Sequence, residues 1–127
     1  MRNTYDVVTC MSKEHLEIGI RAIRSLIKLS EANKIFVITS NKNKNLLQKN
    51  FPKEKLLIIL DEDEIIPNMK LVDVASTLQE YGGKADRAGW YYQQFLKMNI
   101  SRHPLISKYY LIWDSDTVML KQINFFN

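Results

Sequence analysis

Cysteine is the scarcest informative residue in this sequence: Cys10 is the only one in 127 residues, so no disulfide can form within the chain. Cys10 falls in an apolar, β-branched stretch and reads as a small core residue. Long hydrophobic runs are also missing. The longest, such as 56–60 (LLIIL), fall far short of the ~20 apolar residues that cross a bilayer. The start, MRNTYDVV, has no basic segment followed by an apolar one, so no secretory signal is expected. There is no internal repeat, low-complexity tract or linker. With 46% hydrophobic and 25% charged residues, the chain is neither disordered nor fibrous. These absences point to one globular domain over 1–127, in the cytoplasm or peripheral at the inner face of the membrane.

Charge of one sign dominates only weakly. The formal net charge is +4 and the sequence pI is near 9.2. Such an excess suits a polyanion, an acidic membrane surface or a phosphorylated substrate. Much of it comes from Lys42, Lys44, Lys49, Lys53 and Lys55, in and around one predicted surface helix, and a solvated face is the simpler reading. Nucleic acid is not an expected partner: no basic helix carries interleaved aromatics, and residues 61–64 (DEDE) are acidic.

The chain alternates between strand and helix signals. Residues 5–10 (YDVVTC), 34–40 (KIFVITS) and 56–60 (LLIIL) are β-branched and apolar, as buried strands are. Between the first two, Leu16, Ile20, Ile23 and Ile27 recur at helical spacing, with Ser12 as the expected cap. A polar helix is expected over 43–50, and a weaker one over 71–80 that Gly82 and Gly83 end. The segment GWYYQQFLKMNIS reads as a helix with an aromatic stripe from Tyr91 or Tyr92, Phe95, Leu96 and Met98. By this reading the tyrosines and Trp90 belong to the core, and His15 and His103 to the surface. Residues 109–113 form a fourth strand. This order predicts an α/β domain, Rossmann-like, with a mostly parallel sheet flanked by helices.

The fourth strand runs into Asp114-Ser115-Asp116. Ligands of open parallel sheets gather outside the carboxyl ends of the strands. If the chain stays extended past Trp113, Asp114 and Asp116 point to one side and Ser115 offers its backbone from the other. Two converging carboxylates call for a cation. Mg²⁺ or Mn²⁺ suits such oxygen donors and keeps positions open for water and phosphate. A turn or helix cap is the competing reading of Asp-x-Asp.

Two families share this pattern. A hydrophobic strand followed by DSDTV resembles the first motif of haloacid-dehalogenase-type phosphatases, but only 11 residues follow Asp116, too few for the later motifs of that family. The closer resemblance is to GT-A glycosyltransferases, and within them to bacterial glycosyltransferase-like proteins of polysaccharide gene clusters. It rests on DEDEIIP (61–67), RAGWYYQQFLKM (87–98) and YLIWDSDTVMLKQINFF (110–126). The resemblance implies a nucleotide-binding half that ends after the D-x-D strand, where an acceptor-binding half would begin.

The resemblance further implies roles for particular residues. Asp116 would ligate Mn²⁺ or Mg²⁺, and Asp114 would reach the ribose or the metal through water. Thr9 would lie against the base or ribose, with Asp61 or Asp63 also touching the nucleotide. Arg87 would approach the diphosphate, although it could instead cap a helix or pair with Asp86 or Glu80. Gln93 or Gln94 would face the donor sugar, and Ser115 would flank the nucleotide. The expected partners are a nucleoside-diphosphate sugar, with UDP the first guess, and a saccharide acceptor. No catalytic base is expected before the D-x-D. A non-catalytic nucleotide- or partner-binding module is the alternative. Apolar surface near Ile123, Phe125 and Phe126 is expected to favour self-association.

Overall fold

The computed structural model describes residues 4–12 and 14–126. Its first half follows the expected alternation: β1 (Asp6–Cys10), α1 (Leu16–Leu29), β2 (Ile35–Thr39), α2 (Asn41–Asn50) and β3 (Leu57–Asp61). Then come α3 (Leu71–Glu80), α4 (Ala88–Asn99) and a short β4 (Tyr110–Ile112). The four strands pair in the order β3-β2-β1-β4, and every pairing is parallel. The fold is therefore the expected α/β, Rossmann-like one. No helix of the described residues is long and apolar enough to cross a membrane.

Alternation along the strands builds two cores, one on each face of the sheet. Val7, Ile35, Val37 and Leu57 pack against α1 and α2 with Leu26 and Leu47. Val8, Phe36, Ile38 and Ile58 pack against α3 and α4 with Val74, Tyr92 and Leu96. Strands covered on both sides read as continuous apolar runs, which is why β1, β2 and β3 were so visible in the sequence. Each fully buried Val, Leu or Ile contributes roughly 1.5–3 kcal/mol to burial.

Caps and turns differ more from expectation. Helix α1 begins after His15, which makes no side-chain capping bond. The Ser12 carbonyl instead accepts from Asn43 Nδ2 at 3.2 Å. It is α2 that has a serine cap, with Asn43 N–H donating to Ser40 Oγ at 3.3 Å. Gly82 and Gly83 end α3 as expected. Gly82 has φ of 82°, and the Gly83 amide returns to the Leu78 carbonyl at 2.7 Å, a closure that favours glycine.

The aromatic stripe of α4 is only partly buried. Tyr92 and Leu96 lie in the core, whereas Trp90 is 63% exposed, Tyr91 lies at the surface and Met98 is 62% exposed. The core reading thus fails for Trp90 and Tyr91, because α4 turns that side, with Met98, away from the sheet. His103 is half-buried, its ring 5.4 Å from Phe36. Phe125 and Phe126 are not left bare either. They pack on Tyr5, with ring centroids 6.3 and 5.0 Å away, as the segment after β4 folds back over the α1 face. Ile123 does stay exposed.

Two buried polar anchors hold this C-terminal part. Asp6 is fully buried. Its Oδ2 accepts from the Ser107 amide at 2.7 Å, and its Oδ1 lies 3.8 Å from Lys34 Nζ. Ser25 Oγ accepts from the Met119 amide at 2.9 Å and donates to the Ala22 carbonyl at 2.7 Å. Both anchors satisfy amides that would otherwise be buried without a partner.

Candidate functional site

Because the sheet is all parallel, Cys10, Thr39, Asp61 and Ile112 end their strands on one rim. The chain leaves β1 toward β2 by way of α1 on one face. It reaches β4, on the other side of β1, by way of α3 and α4 on the opposite face. The order reverses between β1 and β4, and such a switch point opens the crevice in which doubly wound folds hold ligands.

A cleft of about 750 Å³ opens on this rim. Its floor is apolar, with Cys10, Ile38, Tyr92 and Leu96. Tyr92 is held in place by donating its hydroxyl to the Glu62 carbonyl at 2.9 Å. Burial, with Glu62 and Asp63 close by, raises the Tyr92 phenol above its usual range. Desolvation pushes the Cys10 thiol up to about 12; Lys97 opposes this, and Glu62 and Asp114 add to it. The floor therefore offers no anion at neutral pH.

The walls are predominantly acidic. Glu14, Glu62, Asp63 and Asp86 face a single ammonium, Lys70, among the described lining residues. A bare diphosphate is repelled by such walls, whereas a hydroxyl-rich, uncharged group can donate to them. No glycine lies between β1 and α1, so this turn lacks the glycine-rich cradle that holds phosphates in dinucleotide-binding folds.

The aspartate pair lies past the end of β4, on the same rim of the sheet as the cleft. The chain does not stay extended there. The Thr117 amide donates to the Asp114 carbonyl at 3.1 Å, closing a turn, and Trp113 Nε1 donates to the Thr117 carbonyl at 2.7 Å. Aspartate is favoured at the first position of such a turn. Strand alternation sets Tyr110 toward α4 and Trp113 toward the α1 face, so Asp114 returns to the α4 side. There its Oδ1 lies 3.6 Å from Lys97 Nζ. The Asp114 side chain is 70% exposed and that of Lys97 only 13%. Asp116 is exposed, and Thr117 Oγ1 donates to its Oδ1 at 3.4 Å.

No group of three or more His, Cys, Asp or Glu that could hold a metal ion occurs among the described residues. The donors present are two carboxylates beside open space, and the Lys97 ammonium already stands as a cation against one of them. Such a set fits Mg²⁺ or Mn²⁺ with few protein ligands, completed by water and the phosphate oxygens of a substrate.

The other expected residues divide by place. Gln93 lines the cleft and Gln94 does not. Asp63 lines it, while Asp61 accepts from the Asp63 amide at 3.0 Å and caps the 3₁₀ turn Glu62–Glu64. Thr9 is buried, and alternation sets it with Val7 and Met11 on the α1 face. Its neighbour Cys10, not Thr9, lines the cleft. Arg87 is exposed and outside the cleft lining, where Asp86 and Ala88 take part instead. Ser115 is half-buried within the turn.

Lys97, Glu14, Asp86 and Tyr92 are the residues that sequence reasoning missed. Lys97 had one signal: it follows Gln93 by four and Gln94 by three positions, and so shares their side of α4.

A family model described as "Family of unknown function (DUF6492)" matches residues 7–126. No curated protein and no solved structure matches the chain.

Proposed function

The chain belongs to the DUF6492 family, and from the geometry of its rim we propose that it binds a nucleoside-diphosphate sugar with a divalent metal, as the nucleotide-binding part of a GT-A-type glycosyltransferase. The observation that carries this reading is the cleft at the carboxyl ends of β1 and β2, with the Asp114-Ser115-Asp116 turn past β4 on the same rim of the sheet.

In this reading the uncharged nucleoside occupies the cleft. Its base lies on Cys10, Ile38 and Leu96, and its ribose hydroxyls donate to the acidic walls. Gln93 faces the donor sugar. The diphosphate leaves the cleft on the α4 side, toward Lys97 and the aspartate turn. Asp114 and Asp116 hold Mn²⁺ or Mg²⁺, which when bound supplies charge neutralisation to the departing diphosphate. Lys97, set in a largely buried place, adds a fixed positive charge where negative charge develops. The acceptor is a saccharide of surface polysaccharide synthesis, and the setting is the cytoplasm or its membrane face.

Calorimetric titration of UDP, with and without Mn²⁺, tests the proposal. Binding is expected to need the metal and to weaken at least about tenfold in Asp116→Ala, the loss of one direct charged ligand. Parallel titrations with GDP and CDP identify the base. Equal UDP affinity with and without Mn²⁺, or in the variant and the parent, would overturn the reading.

A further inference from the structure

Lys97 and Asp114 form an uneven pair. The lysine is mostly removed from water and the aspartate mostly exposed to it. The backbone of Lys97 is fixed: Leu96 beside it is buried, and Tyr110 donates its hydroxyl to the Lys97 carbonyl at 3.3 Å. Its charge also reaches inward, since it is the influence that lowers the Cys10 thiol against burial. An ammonium in such a place has a standing need for a nearby anion. Its partner sits on a turn, and their 3.6 Å separation is an ion-pair distance rather than a tight hydrogen bond. The contact is therefore one that can be traded.

We propose that Lys97 is a positioning residue that changes partner: it neutralises Asp114 when no ligand is bound, and passes to the diphosphate when a divalent ion takes Asp114. The inference rests on the nucleotide-binding reading above and adds a mechanism of order to it. The ion and the lysine compete for one carboxylate, so the metal alone binds poorly. A diphosphate removes the competition by giving Lys97 another anion, and the metal and the nucleotide then bind together better than either binds alone. The acidic walls of the cleft enforce the same order from the other side, because they disfavour the nucleotide without its metal.

The test is a pair of titrations on the full chain and on Lys97→Met, which keeps the apolar stem and removes the charge. Mn²⁺ alone, followed by electron paramagnetic resonance of the free ion, is expected to bind about three- to tenfold tighter to the variant, as loss of one partly screened ion pair allows. UDP at saturating Mn²⁺ is expected to bind more weakly, by a similar factor. These opposite signs are what a merely structural role would not produce. Lys97→Arg restores the charge and is expected to restore the weak binding of Mn²⁺ alone. Thermal melting checks folding, and if Lys97→Met does not fold, Lys97→Gln takes its place with the same expected signs. Unchanged or weaker Mn²⁺ binding in the variant, or unchanged UDP binding, overturns the exchange while leaving metal-dependent UDP binding by the parent chain intact. Absence of that parental binding overturns the nucleotide reading itself.

Discussion

Cys10 illustrates how much one residue's place decides. It closes β1 and lies on the cleft floor, and desolvation raises its thiol from 9.0 to about 12. Burial likewise raises Tyr5 and Tyr92 from 10.0. A raised value means that the folded chain keeps its proton longer than the unfolded chain. These groups therefore favour folding fully below their unfolded values and lose that contribution as pH rises through the folded ones. Stability should stay level near neutrality and fall from pH 9.0 toward about 12, by up to about 1.4 kcal/mol per pH unit for each such group. Urea unfolding at a series of alkaline pH values checks this. Cys10→Ser should remove the earliest part of the decline, and a decline of unchanged onset would refute the assignment. The thiol should also react with a disulfide reagent only as fast as the chain opens.

Among the elements, β4 has the least of its own to hold it. It pairs with β1 over three residues, and the aspartate turn depends on it. Its stability is supplied from outside, by Asp6 before it and Ser25 after it. Asp6→Ala strips Lys34 of its buried counter-charge and the Ser107 amide of its acceptor, and should cost about 3 kcal/mol. Ser25→Ala strands the Met119 amide and should cost about 1–2 kcal/mol. Denaturant unfolding measures both, and limited proteolysis should cut first within 117–126 in the Ser25 variant. This dependence explains what could be read in advance. Strands β1, β2 and β3 are continuous apolar runs and helices α1 and α3 follow a period of 3.6, so they are legible in the sequence. The turn after Trp113 was not, because it is closed by an indole that reaches over to Thr117. A strand buried on both faces gives no alternation to tell its sides apart, so the sequence does not show that Cys10 rather than Thr9 faces the cleft. Trp90 looked like core because aromatic residues usually are, whereas the exposed side of α4 is set by where the sheet lies. The Lys97–Asp114 pair joins α4 to the end of β4, a juxtaposition that only the folded chain creates.

On the scale of the whole molecule, net charge misdescribes the site. The chain is basic, at +4, yet its cleft is walled by Glu14, Glu62, Asp63 and Asp86. The surplus lies elsewhere. Helix α2 starts at the cleft with Ser40 and runs back along the sheet. Lys49 in its last turn, and Lys53 and Lys55 just before β3, therefore lie near the opposite rim. Ten helical residues span ~15 Å, more than the ~8 Å over which salt screens charge under physiological conditions. If the nucleotide is held by local charge, these lysines are bystanders. Converting all three to glutamate reverses the sign of the net charge, yet should leave Mn²⁺-dependent UDP affinity within about twofold of the parent chain. Removing wall charge should do the opposite. Asp63→Asn with Asp86→Asn should let UDP bind measurably without metal, because the repulsion that makes the metal necessary has been reduced. Calorimetry of the two variants side by side separates the two cases. A large loss of affinity in the lysine variant would mean that the polyanion is gathered by the basic end of the molecule, and that the cleft serves some other ligand.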